Sequence, residues 1–317
     1  MTPQGKGNME KGKWESKNKA RSSEGRLVIG GQAVIEGVMM RSPRWTSTAV
    51  RRRDGGLVAY TQRFDSLMLR YRWLRAPVLR GVIVLYDALV IGIRALLLSA
   101  NASVGAAQQL TSRQVAVLVG AGLAMAIGLF FVLPTVAIRL LERHFASAVS
   151  LNLAEGAIRV GVLVAYIGTI GRVPDVGRVF AYHGAEHKAV NAYEAGAPLE
   201  VPTVRAHSRF HPRCGTSFLL IVMIVATVVF SFFGRPALAL RILSRIMVLP
   251  LVAGVSYEII RAGARHRGVR PLVAPGLWLQ QLTTREPDDT QLEVAIRAIR
   301  EVVEREKDGE ETMVDGR

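Results

Sequence analysis

One cysteine, Cys214, is the only thiol in 317 residues. No internal disulfide can form, which excludes a small disulfide-stapled secreted domain. Histidine is scarce, at six. The sequence has no G-x-x-x-x-G-K-[ST] phosphate loop, no G-x-S-x-G elbow, and no dinucleotide fingerprint in Gly25–Gly37. No nucleic-acid module is recognisable, although Arg51-Arg52-Arg53 could touch phosphates. Acidic residues are also few: 25 Asp+Glu face 41 Lys+Arg, for a formal net charge of +16. What is abundant is apolar side chain, at 50%, and that rules out intrinsic disorder of the whole chain. A chain this apolar and this basic suits membrane spans with Lys/Arg at their ends, or an unusual nucleic-acid binder. The clumping of the apolar residues favours the membrane.

Gln114–Ile138 carries no charge over 25 residues. That is long enough to cross a hydrocarbon core of ~30 Å. Gly215–Phe233 is a second charge-free run, and Gly234–Ala237 turns it into Leu238–Ile260, which is apolar but for Arg241, Arg245 and Glu258. Leu151–Gly171 is a fourth candidate, with Glu155 and Arg159 at the i,i+4 spacing that lets them pair on a helix. Soluble core helices rarely stay apolar on every face, so these are read as spans. Gly81–Ala100 is apolar but holds Asp87 and Arg94. It is read as a membrane-surface or re-entrant helix, with a fifth span as the alternative. Arg241 and Arg245, one turn apart, should face the bundle interior, with Glu155 and Glu258 as partners.

Orientation follows from the distribution of Lys and Arg. Met1–Arg113 holds 19 Lys/Arg against 7 Asp/Glu, Arg172–Cys214 adds six basic residues, and Arg261, Arg265, Arg267 and Arg270 follow the last span. Placing all three regions in the cytoplasm gives four spans with both termini inside. The first ~25 residues lack an apolar h-region and read as a disordered basic tail, open to unspecific attraction by anionic lipid or RNA. Arg26–Val38 reads as a strand with a break at Gly30-Gly31, and Thr46–Arg53 and Leu57–Phe64 as a hairpin around Asp54-Gly55-Gly56. In the tail, Pro287–Lys307 sets Leu292, Ala295, Ile296, Ile299, Val302 and Val303 on one helical face, with Asp288 or Asp289 as cap. The fold expected is mainly α: a polytopic bundle of about four spans, a small cytoplasmic N-terminal β element and a C-terminal amphipathic helix. Its boundaries are a tail at 1–25, the β element at 26–75, the surface helix at 76–113, paired spans at 114–171 and 215–260, a cytoplasmic helix at 172–214, and a cytoplasmic end at 261–317.

The densest chemistry lies between the two pairs of spans. Asp175–Ala195 reads as helix and contains His183-Gly184-Ala185-Glu186-His187, the H-x-x-E-H order of inverted zincins. Four residues apart on a helix, His183 and His187 stack on one face and can reach a single metal ion. Glu186 sits beside that face, where a carboxylate can act as general base on a water that the ion acidifies. His207, His211 and Cys214 follow, so four of the six histidines and the cysteine fall within 32 residues. Cys214, His211, His207 and Glu194, taken in that order, compete for the third ligand position. An ordinary polar helix with hydrogen-bonded histidines is the competing account, and a small buried residue is the competing account of Cys214. Glu36, alone among the uncharged Gly30–Met40, is either buried with a partner, functional, or exposed on a turn. The glycines before it permit close backbone approach or positive φ.

Four motifs carry a resemblance: GGQAVIEGVMMRSP (Gly30–Pro43), AYHGAEHKAVNAYEAG (Ala181–Gly196), HPRCGTSFL (His211–Leu219) and LTTREPDDTQLEVAI (Leu282–Ile296). Together they resemble the YqhQ-like family of bacterial multi-pass membrane proteins, a domain of unknown function labelled as metal-dependent enzymes. The resemblance runs from about Gly30 to Ala298. It implies a bacterial inner-membrane location and brings no established reaction. The expectation is therefore a bilayer protein with a cytoplasmic divalent-metal site, zinc-like, held by His183, His187 and either Cys214 or His211, with Glu186 as base of a hydrolase. The alternatives are a non-catalytic scaffold whose basic face docks a partner complex, lipid or RNA, and, third, a transporter using the intramembrane arginines.

Overall fold

The structure is a computed structural model and describes residues 27–103, 111–266, 268 and 270–314. The tail at 1–25 and Arg267 lie outside the described residues. Four strands, β1 (Gly30–Val34), β2 (Gly37–Arg41), β3 (Trp45–Arg51) and β4 (Leu57–Arg63), form an antiparallel meander in chain order. The β3–β4 hairpin stands where the sequence puts it: Gly55 takes φ 83° and the Gly56 amide donates to Asp54 Oδ1 at 2.9 Å. The first expected strand is instead two. The chain reverses at Ile35–Glu36, and Glu36, not a glycine, takes the positive φ of 49°. Turn propensity misses this because the Glu36 side chain is held from far along the chain, by Arg178 Nε at 2.8 Å and the Tyr182 hydroxyl at 3.3 Å.

Register gives the sheet two working faces, since successive side chains alternate. Val38, Met40 and Ala49 pack into one core with Tyr182, Ala185 and Ala189, while Val34 and Met39 pack with Ile91 and Ala95. The second set of partners belongs to helix α1 (Leu79–Ser103). Its Asp87, one of the two charges that argue against a span, is buried and partnered: it accepts from Ser66 Oγ at 2.6 Å and lies 3.9 Å from Arg41.

Helix α2 (Ser112–Ile127) continues through a π turn (Gly128–Val132) into α3 (Leu133–Leu140). Then come α4 (Ala148–Ile170), α5 (Pro174–Ala195), α6 (Val201–Arg205), α7 (Gly215–Ser231), α8 (Leu238–Arg265), α9 (Arg270–Thr283) and α10 (Asp289–Val314). Among the described residues four helices are long and apolar enough to cross a membrane: Leu79–Ser103, Arg113–Leu140, Ala148–Ile170 and Leu238–Gly263. This set differs from the expected one. Leu79–Ser103 meets the criterion of length and apolarity, whereas α7, at 17 residues, rises only ~25 Å and is the shorter apolar helix. Its role is central instead: Leu220 and Met223 pack with Leu163 and Leu279, and Ile221, Val225 and Phe230 with Val252.

Helix α9 has no counterpart in the sequence reading, which names no helix between Ile260 and Pro287; prolines and glycine such as Pro271, Pro275 and Gly276 ordinarily disfavour one. Pro271 falls in the first turn, where a missing amide costs nothing. Gly276 lies against Ser217 of α7, so closely that a Cβ there would collide with it. Helix α10 begins as expected at a reciprocal cap: Asp288 Oδ1 accepts the Gln291 amide at 2.9 Å, and Gln291 Oε1 accepts the Asp288 amide at 3.1 Å. Its Leu292, Ala295, Ile299 and Val302 are fully buried in the core shared with the sheet and α5. Burial of a Leu or Ile side chain contributes roughly 1.5–3 kcal/mol, which fixes α10 as part of this unit. Glu155 pairs with Arg159, as their i,i+4 spacing foretells, and with Arg241 and Arg245, for which it was an expected partner. Glu258 does not join them; it takes Arg80 and the Val78 amide, about two turns before the end of its helix.

Candidate metal centre

Helix α5 places His183 and His187 one turn apart, with ring centroids 4.4 Å from each other. Each ring is held by a backbone carbonyl: His183 Nδ1 lies 2.8 Å from Thr283 O, and His187 Nδ1 lies 2.6 Å from Arg209 O. A carbonyl only accepts, so in the neutral rings Nδ1 carries the proton and the Nε2 lone pair is left for another partner. This is the outer-shell pattern of metal-ligating histidine. His183 Nε2 lies 3.2 Å from Cys214 Sγ, and the three ligand atoms of His183, His187 and Cys214 fall within 4.8 Å of one another. Cys214 caps α7: its sulfur accepts the Thr216 amide at 3.4 Å and meets Thr216 Oγ1 at 3.1 Å. The start of a helix favours negative charge, which suits a thiolate ligand.

Both carbonyls are themselves fixed. Buried Lys188 donates to Arg205 O at 2.8 Å and His207 O at 2.9 Å, and Asn191 donates to Ser208 O and Phe210 O. These contacts tie down the loop that presents Arg209 O. On the other side the Arg285 amide donates to Phe180 O at 2.8 Å, and the Arg209 guanidinium donates to Thr284 O at 2.7 Å. Gly184 makes this possible, because the Arg285 carbonyl occupies the space a Cβ would need.

Glu186 faces both imidazoles. Its Oε2 is 3.9 Å from His183 Nε2 and 3.7 Å from His187 Nε2, and its side chain is 7% exposed. Behind it stands β1: a Cβ on Gly31 would come within 2.9 Å of Glu186 Cγ. Of the glycine pair, Gly31 thus serves close approach, one of the two uses expected, while Gly30 faces open space. Burial pushes the Glu186 carboxyl above its ordinary range, against the pull of His183 and His211. Burial likewise pushes His187 down, towards the neutral imidazole a metal requires.

The other candidates go elsewhere. His211 is not among the converging ligands: its Nε2 is 3.5 Å from Glu194 Oε2, and its Nδ1 receives the Arg213 amide at 3.4 Å. Gln280 holds its backbone on both sides, at 2.9 and 2.8 Å. His207 turns Nδ1 to Thr203 O, and Glu194 meets Arg213 as well. Sequence reasoning missed Thr283, Arg209, Lys188 and Gln280. The first two act through carbonyls, which leave no trace in a side-chain pattern. Lys188, immediately after the H-x-x-E-H run, was the available signal. A cavity of about 420 Å³ lies away from this site, between the sheet and α1, lined by Thr48, Tyr60, Arg63, Phe64 and Arg94 among others. It does not border the imidazoles and adds nothing to their chemistry.

All four motifs therefore meet at one place: Gly31, the α5 histidines, Cys214, and Thr283 with Arg285. The chain matches the family described as "Protein of unknown function (DUF1385)" over residues 76–305. It is also 34% identical over 294 residues, 87% of this chain and 92% of the relative, to the "Uncharacterized protein YqhQ" of Bacillus subtilis (strain 168). The chain belongs to this YqhQ-like family. No solved structure matches it. Family membership fixes no reaction, so function has to be argued from the site.

Proposed function

We propose that the chain is a membrane metal-dependent hydrolase, with a divalent, zinc-like ion held by His183 Nε2, His187 Nε2 and Cys214 Sγ and with Glu186 as general base. The observation that carries this reading is the convergence of the three ligand atoms within 4.8 Å, with both Nδ1 atoms spent on carbonyls. Two imidazoles and one sulfur suit zinc's preference, and three protein ligands are the number that leaves a position open. A cation there supplies Lewis acidity. Glu186, beside the two histidines and outside the trio, is placed to take a proton from a water and return it to a leaving group. In this reading the centre faces the cytoplasm of a bacterial inner membrane, both termini are cytoplasmic, and the basic regions meet anionic lipid or a protein partner.

A second reading keeps the ion but makes it structural, in a membrane scaffold. It is favoured by burial, since the His187 side chain is 1% exposed and Cys214 is buried. Acetohydroxamate, which ligates an open zinc position, separates the two. The hydrolase reading expects it to raise the melting temperature of zinc-loaded protein, and Glu186→Gln to keep its metal. Metal-loaded protein indifferent to the hydroxamate would leave the scaffold.

A further inference from the structure

The far end of α7 holds a second charged cluster, independent of the metal centre. Glu155 of α4 sits among Arg159, Arg241 and Arg245, and all four side chains are at most 3% exposed. Arginine stays charged in any protein environment, so three cations face one carboxylate inside an apolar bundle. Glu155 is already saturated. Its Oε1 accepts from Thr135 Oγ1 at 3.0 Å, Arg159 at 2.8 Å and Arg245 Nε at 2.7 Å. Its Oε2 accepts from Arg241 at 2.9 Å and Arg245 at 2.8 Å. A carboxylate offers about four lone-pair sites, and these five donors exhaust them.

Among the described residues, the other groups that meet the cluster are neutral. Asn152 Oδ1 accepts from Arg245 at 2.9 Å, Phe130 O accepts from Arg159 at 2.9 Å, and Arg241 O accepts from Arg245 at 3.2 Å. The Phe230 ring lies 4.9 Å from the Arg245 guanidinium carbon and 5.6 Å from that of Arg159. One donor has nothing: Arg241 Nε is buried without a partner. Two positive charges and an orphaned donor in low dielectric call for an anion.

We infer that this cluster binds a phosphate-bearing anion, with Arg241 Nε as its open donor and the two excess charges as its counter-ions. Guanidinium forks match phosphate oxygens geometrically, and a phosphomonoester carries close to two negative charges at neutral pH. The depth fits a lipid headgroup as well as free phosphate. Asn152 and Arg241 lie within about a turn of the starts of their helices, at the bundle end where Asn152 Nδ2 donates to Gly234 O and Arg235 to Phe145 O. Entry is lateral. The helix covering this side, Arg113–Leu140, buries none of its apolar window, and it carries the π turn that presents Phe130 O, followed at once by Pro134. Such turns mark places where a helix is bent for function.

The test uses the full-length chain in detergent, with its melting temperature followed against inorganic phosphate, phosphatidylglycerol in mixed micelles, and sodium chloride at equal ionic strength. Phosphate or phosphatidylglycerol should stabilise the wild type beyond the chloride effect. A response to phosphatidylglycerol alone places the anion on a lipid, and a response to inorganic phosphate makes it a free ion. Arg241→Gln should raise the half-effective concentration roughly tenfold or more, as loss of one charged hydrogen bond requires, while exposed Arg139→Gln leaves it unchanged. Arg241→Lys keeps the charge without Nε and serves if the glutamine variant does not fold; it too should bind more weakly. Equal responses in wild type and Arg241 variants, or no response beyond chloride, would overturn the proposal.

Discussion

Glu36 stands at φ 49°, and its carboxylate is bonded to Arg178 and Tyr182 on the helix that carries the histidines. The hydrogen bond from Arg178, and its charge, hold the carboxyl below its ordinary range in spite of partial burial. A depressed carboxylate contributes stability that is complete above its unfolded value, about 4.3, and lost as pH falls through the folded one. With the Arg178 side chain 54% exposed, solvent screens the pair and its contribution stays near 1 kcal/mol or less. Glu36→Gln should therefore lower the melting temperature slightly at pH 7 and have no effect once acid has protonated the wild-type carboxyl. A loss of equal size at both pH values would show that the carboxylate's charge is not what matters. The residue was singled out in the sequence as an isolated charge, but its partner lies 142 positions away. No local pattern could have named that partner.

At the scale of elements, the histidine helix was legible and the parts that hold it were not. His183 and His187 announce themselves by spacing and scarcity, and Cys214 by standing at the start of an apolar run. Helix α9 went unread; prolines and glycine ordinarily disfavour a helix, yet Pro271 serves the first turn and Gly276 serves packing. The β1–β2 turn stood only as one alternative for Glu36, because a charged residue, not a glycine, makes it. The contact most sensitive to change is Gly184 against the Arg285 carbonyl, where a single methyl has no space. Gly184→Ala should push the Thr283–Arg285 segment away from α5. The expected cost is about 1–3 kcal/mol in unfolding. Losing the Thr283 carbonyl from His183 should also weaken metal binding by roughly 10–100-fold. Stability lowered with metal affinity intact would show that Thr283 does not orient the ligand.

Across the whole molecule, charge and apolarity separate. The apolar residues gather in the membrane-length helices and α7, and the basic excess precedes α2. The sheet, α5 and α10 form one core, the bundle around α7 forms another, and the His/Cys trio sits where they join, at the residue that caps α7. That the chain holds apolar helices of membrane length was readable in outline from hydropathy. Which apolar run is long enough was not: Leu79–Ser103 meets the length in spite of Asp87 and Arg94 within it, and α7 is a helix of 17 residues. The account stands on the trio being a metal site. Elemental analysis of detergent-purified full-length chain, beside the His183→Ala/His187→Ala double variant and Cys214→Ala, tests this most directly. One divalent ion per chain in the wild type, absent from the double variant and reduced in Cys214→Ala, is the result expected. Folded wild-type protein, prepared without chelator and supplied with zinc, that retains no metal would contradict it.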